Sequence, residues 1–250
     1  MMRGILIKYC ERKHAESFQK EGVVHFERLK TFIEQESKNG EHIIADVLEG
    51  AVYRNPGPGK TTVTITDPTG KRFVLPAQDV QYNFTDSAIE NWGVCSFTFL
   101  DFEKDFDIIE RDNVHATLRV KPSICKELQA LSLGSTHVPI IIGAGAFEKR
   151  LFKYFHERQE AVRWGPVRYY SLDEEENISS EDYQEDPGKI IFYKSDGYAY
   201  EREYRVGLVR PINKKGKNIS LGSLTDCVKI LDNPGILKNM RVELSDSKQR

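Results

Sequence analysis

Residues Tyr198–Val206 read YAYEREYRV. Successive side chains on a strand point to opposite faces. Read as a strand, the stretch puts Tyr200, Arg202, Tyr204 and Val206 on one face and Glu201, Glu203 and Arg205 on the other. The first face suits a core. The second is either a wetted surface or a chemical site. Two carboxylates on the same strand face lie about 7 Å apart, so ionising one raises the cost of ionising the other. Arg205 would offset that cost, and so would a cationic ligand.

The flanking sequence sets the fold class. GILIKY near the start reads as a strand, and KHAESFQKEG as a short helix that Gly22 stops. VVHF is a second strand and ERLKTFIEQE a helix, while EHIIADVLEGAVY is ambiguous between the two states. Two β-rich runs around Asp67-Pro68-Thr69-Gly70 form a hairpin. NWGVCSFTFLDF reads as a core strand, HATLRVKPS as a strand ended by Pro122, and PSICKELQALS as a helix. VPIIIGAG is a buried strand, followed by an amphipathic helix with a stripe of Phe147, Leu151, Tyr154 and Phe155. WGPVRYYSL reads as one strand and KIIFYK as a further strand or an approach to Tyr198. The acidic segment 173–187 reads as a mobile, loosely packed loop, and the polar tail from Ser245 as frayed. Helices and strands do not alternate regularly. The expectation is one α+β domain over 1–250, mostly antiparallel, with 51–85 as a β-hairpin insertion.

Composition bounds the function. The chain has 250 residues, 39% hydrophobic and 30% charged, with a net charge of −2. That is a globular balance, with no overall field to draw nucleic acid or membrane. Cys10, Cys95, Cys125 and Cys227 make no C-x-x-C pair, which suits free thiols in a reducing cytosol. The opening apolar run is too short for a signal peptide, and no segment nears the roughly 18 apolar residues of a membrane span. A cytoplasmic protein without membrane contact is expected.

Three motifs fail on chemical grounds. RNPGPGKTT lacks the first glycine of a phosphate loop, since Arg54 stands there, and a strand follows instead of a helix. In IIIGAGAFEKR, Glu148 occupies the third glycine position of a dinucleotide fingerprint and would repel phosphate. The scattered histidines form neither H-E-x-x-H nor a Cys/His cluster, so no metal ligands are assigned.

The surviving constellation resembles a family. Glu201-Arg202-Glu203 resembles the E-x-E signature of the Arg–Ser–Glu type of ADP-ribosyltransferase. Lys8 at the end of ILIKY and Ser96-Phe97-Thr98 in GVCSFTF are similar to that family's first-strand basic residue and Ser-x-Thr element, in the same order. FYKSDGYAYEREYR also resembles the C-terminal signature of a widespread uncharacterised bacterial domain. One departure is plain: the family's first-strand Arg is Lys8 in this chain, and Lys lacks the planar fork of a guanidinium.

The resemblance implies split, mostly antiparallel β-sheets with flanking helices, and transfer of ADP-ribose from NAD as substrate to a protein or nucleic-acid acceptor. It implies Glu203 as the carboxylate facing the oxocarbenium-like ribose and Glu201 as the group orienting or deprotonating the acceptor. Ser96 would position nicotinamide or Glu203, Thr98 would brace the strand, and Lys8 would meet a phosphate or the ribose. Tyr9 or Phe97 would stack on nicotinamide. A bacterial or phage-related toxin or defence effector, with an antitoxin or inhibitor partner, is the implied setting. Two alternatives stand beside it. One is a non-enzymatic nucleotide- or partner-binding domain of the same fold, with the glutamates tied up in ion pairs. The other is a metal-dependent nuclease or hydrolase using the same carboxylates.

Overall fold

The structure is a computed structural model that describes residues 3–39, 48–77, 81–112, 115–131, 137–232, 235, 237 and 240–245. Strand β1 (Gly4–Glu11) carries the run GILIKY, with Ile5, Leu6 and Ile7 all buried because both of its faces are covered. Helix α1 (Arg12–Glu21) buries Ala15 and Phe18 and ends at Gly22, whose φ of 64° is left-handed. Strand β2 (Val23–Arg28) and helix α2 (Leu29–Asn39) follow. The ambiguous stretch 41–53 lies outside the described residues over 41–47 and becomes strand from Ala51.

Strands β3 (Ala51–Arg54), β4 (Thr61–Thr66), β5 (Arg72–Ala77) and β6 (Tyr82–Thr85) nest, β4 pairing β5 inside the β3–β6 ladder. The β4–β5 turn falls at Asp67–Gly70 as expected. Its Asp67 carboxylate accepts from the Thr69 N–H at 2.8 Å.

The remaining elements are β7 (Trp92–Asp101), β8 (Phe106–Arg111), β9 (His115–Val120), α3 (Pro122–Ala130), β10 (His137–Gly143) and α4 (Ala144–Arg158). After them come β11 (Val162–Pro166), β12 (Arg168–Tyr170), α5 (Ser180–Glu185), β13 (Tyr193–Ser195), β14 (Glu203–Pro211), β15 (Lys217–Ser220), β16 (Val228–Ile230) and β17 (Arg241–Ser245). The chain is thus α+β, and its ladders are antiparallel apart from the parallel β12–β13 pair. Among the described residues no helix is long and apolar enough to cross a membrane.

The central sheet runs β11-β14-β7-β1-β10-β16. Strand β14 follows one edge of β7. The opposite edge is divided: β1 pairs Thr98–Asp101, while β2 pairs Gly93 and Val94. The sheet therefore splits beside Cys95, Ser96 and Phe97. One face packs Leu6, Phe97, Tyr204 and Val206 against α1 and against Phe147, Leu151 and Phe155 of α4. Tyr154, expected in that stripe, lies at its margin, half-buried.

The other face carries two separate apolar clusters. Ile5, Ile7 and Leu100 pack on α3 and on the β17-β9-β8 sheet. Val94 joins Leu29, Val52, Ile178, Ile190 and Ile191. Along β7 the inward residues are Val94, Ser96, Thr98 and Leu100, so the polar pair falls in the gap between the two clusters.

Three expectations change. The stretch WGPVRYYSL is not one strand: β11 pairs β14, whereas β12 pairs β13 in another sheet. The apolar part of KIIFYK is a 3-10 turn over Pro187–Phe192, because Asp186 caps its start by accepting from Gly188 N–H at 3.1 Å. The acidic segment 173–187 is not loosely packed. It contains α5, capped by Ser179, and its Asn177 and Ile178 are buried. The Asn177 side chain accepts from Tyr53 N–H at 3.1 Å and donates to the Ala51 carbonyl at 2.8 Å. Of the tail expected to fray, Ser245 ends β17, and 246–250 lie outside the described residues.

Candidate active site

The strand that carries the site starts at Glu203, five residues later than the alternation predicts. Asp196–Glu201 form a 3-10 helix, and Arg202 caps it in the left-handed conformation at φ 49°. Tyr200 and Arg202 therefore leave the face of Tyr204 and Val206. From Glu203 onward alternation holds. Glu203 lies opposite Thr98 and Arg205 opposite Ser96, with all four on the inner face of the split sheet.

These residues meet two further partners, Lys194 just upstream and Glu49 from distant sequence. Lys194, in β13, is only 3% exposed, and its Nζ lies 2.6 Å from Glu201 Oε2, 3.7 Å from Glu203 Oε2 and 3.8 Å from Glu49 Oε2. Arg205, equally buried, donates to Glu203 Oε2 at 2.6 Å, to the Ile191 carbonyl at 2.6 Å and to Glu49 Oε1. Its Nε is buried without a partner among the described residues. The Tyr169 hydroxyl accepts from the Glu203 N–H at 2.8 Å. Three carboxylates thus face two cations, with apolar clusters on either side that keep the local dielectric low.

The imbalance separates the two glutamates. Burial pushes the Glu201 carboxyl up from 4.5 to about 7, against the pull of Lys194 and with the help of Glu203. Burial acts the same way on Glu203, but Arg205 and Lys194 outweigh it, and the nearby Ser96 side chain assists, so its pKa falls to about 2. For Lys194, burial opposes the charge, yet the Glu203, Glu49 and Glu201 carboxylates raise its pKa. Near neutral pH, Glu203 is ionised and Glu201 exchanges a proton, an acid–base division set by environment.

Leu29, Phe32, Val94, Ser96 and the charged group line a cavity of about 140 Å³. The structure therefore brings Glu201, Glu203 and Ser96 together, with Thr98 beside them in the ladder. It does not bring in the other expected residues. Lys8 and Phe97 lie on the opposite sheet face. There the Lys8 ammonium bonds the Ser96 carbonyl at 3.0 Å, within the split, and sits 5.1 Å from the Phe97 ring centre. Tyr9 packs with the α3 cluster and donates its hydroxyl to the Leu128 carbonyl at 2.9 Å. Glu49 and Lys194 were missed. For Lys194 the only signal was its place in FYKSDGYAYEREYR; Glu49 had none. Among the described residues no group of three or more His, Cys, Asp or Glu side chains is arranged to hold a metal ion.

No protein-family model matches the chain, and no curated protein or solved structure matches it either.

Proposed function

We propose that this protein cleaves NAD at the nicotinamide–ribose bond and transfers ADP-ribose to a macromolecular acceptor, protein or nucleic acid. The observation that carries the reading is the convergence of Glu201, Glu203 and Ser96 on one cavity, where Arg205 and Lys194 favour the ionised form of Glu203 and burial raises the pKa of Glu201. When the glycosidic bond breaks, its electron pair leaves with nicotinamide and positive charge develops on the ribose. Glu203 supplies the fixed negative charge for that state. Glu201, in its ionised form, takes the proton of the acceptor nucleophile. Ser96 and Lys194 hold the two carboxylates in place. Lys8, Tyr9 and Phe97 have no part at the reacting centre.

The cavity bounds the substrate's pose. Whole-ligand pockets are roughly 300–1,000 Å³, so about 140 Å³ takes a sugar or a single ring, and the rest of the dinucleotide lies outside. A toxin or defence role, with an inhibitor protein over the cavity, belongs to the same proposal.

One observation favours the non-enzymatic alternative: both glutamates are already ion-paired, Glu203 to Arg205 and Lys194. A domain that only binds a nucleotide or partner would keep such pairs permanently. The metal-dependent alternative has less support, because its carboxylates are committed to Lys194 and Arg205. NAD labelled in its adenylate half, incubated with the protein and cell extract, separates the readings. Label transferred to protein or nucleic acid supports transfer; intact NAD that is bound but never consumed supports the binding domain.

A further inference from the structure

Arg202 stands between the two glutamates in the left-handed conformation, at φ 49°, which a non-glycine residue holds only where its surroundings enforce it. Its surroundings do so at four points. Its N–H donates to the Ala199 carbonyl at 3.2 Å, and its carbonyl accepts from the Phe99 N–H at 2.9 Å. Its guanidinium donates to Glu127 of α3 at 2.6 Å and to Asp105 at 2.8 Å. Asp105 is itself buried and fixed, accepting from Asp101 N–H at 2.8 Å.

The left-handed turn has a geometric consequence. A continuous strand would space Glu201 and Glu203 about 7 Å apart along one face. The turn instead folds the 3-10 segment back, so that both carboxylates reach the single ammonium of Lys194. We propose that Arg202, clamped by Asp105 and Glu127, is the positioning residue that sets Glu201 and Glu203 on Lys194. It does not touch the cavity. It acts by fixing the backbone between two residues that do. The proposal goes beyond the transfer reading, since it concerns the paired glutamates whether or not NAD is their ligand.

The readout is the titration of Glu201, followed by NMR of the carboxyl carbon and assigned with Glu201→Gln. The groups facing Glu201 are Lys194, Glu203, Arg205, Tyr169 and Tyr200. None of them changes in the variants. Arg202→Ala removes the clamp and is expected to let water reach Glu201, lowering its midpoint by one pH unit or more, a tenfold loss in proton affinity. Arg202→Lys keeps a cation between Asp105 and Glu127 and should recover part of the shift. Should Arg202→Ala fail to fold, Glu127→Ala removes one arm of the clamp from a partly exposed site, and a smaller downward shift is expected. A folded Arg202→Ala or Glu127→Ala protein with the parent's Glu201 midpoint would overturn the proposal. No NAD is present in this titration, so a failure of NAD cleavage elsewhere leaves the result readable.

Discussion

Arg205 donates to Glu203 at 2.6 Å from two positions along the same strand, both side chains on the inner face of the split sheet. The pair is buried, and Arg205 also holds Glu49 and the Ile191 carbonyl. Removing the guanidinium would leave three carboxylates, Glu49, Glu201 and Glu203, facing Lys194 alone. Arg205→Ala should therefore cost about 3–5 kcal/mol, as for other broken buried pairs, read as a lower urea midpoint. Arg205→Lys keeps the charge but not the forked geometry, and should recover only part of the loss. Arg3→Ala, which breaks an exposed pair with Glu103, is the control and should leave the midpoint unchanged.

Glu201 predicts a pH dependence of stability. Its pKa is raised on folding, so between about 4.5 and 7 the folded state binds more protons than the unfolded state. Stability from this group therefore falls as pH rises through that window and levels off above it. Glu203 has the opposite sign: its contribution is present above 4.5 and is lost as pH falls toward about 2. Parent and Glu201→Gln compared across pH 4.5–7 should diverge by on the order of 1–3 kcal/mol. Parallel curves would mean that Glu201 is solvated.

Much of the fold was legible because local patterns matched their tertiary setting. The buried run of β1, the glycine stop of α1, the Asp67–Gly70 turn and the apolar stripe of α4 all need only local rules. Alternation along β7 even separates Phe97 from Ser96 and Thr98, and alternation along β1 separates Lys8 from Tyr9, although the resemblance grouped them. The site was half legible. Glu201, Glu203 and Ser96 came from their order along the chain. The turn at Arg202 did not, since distant carboxylates hold it and charged residues at period two look like a strand. Glu49 has no spacing relation to the others; only folding brings it to Arg205. The acidic segment misled for a related reason: its charge masks the two residues, Asn177 and Ile178, that tie it down.

Asn177 makes that last point testable. Its amide satisfies two backbone groups within β3, the Tyr53 N–H and the Ala51 carbonyl. Asn177→Ala strands a buried N–H and a buried carbonyl and should cost about 1–3 kcal/mol in chemical denaturation. Deleting 173–187 should then unfold the chain. A deletion variant with the parent's circular dichroism and thermal midpoint would return the segment to the status of a loop.

The most direct test of the proposed chemistry is nicotinamide release from NAD by the parent and Glu203→Gln. The substitution keeps the side chain's shape and removes the charge assigned to the transition state. Losing such a contact costs on the order of 3 kcal/mol, about a hundredfold in rate. The account predicts that the parent releases nicotinamide, that Glu203→Gln is slower by about that factor, and that NAD affinity changes far less. Release at the parent rate from a folded Glu203→Gln protein, or no release from the parent under any acceptor condition, would contradict it.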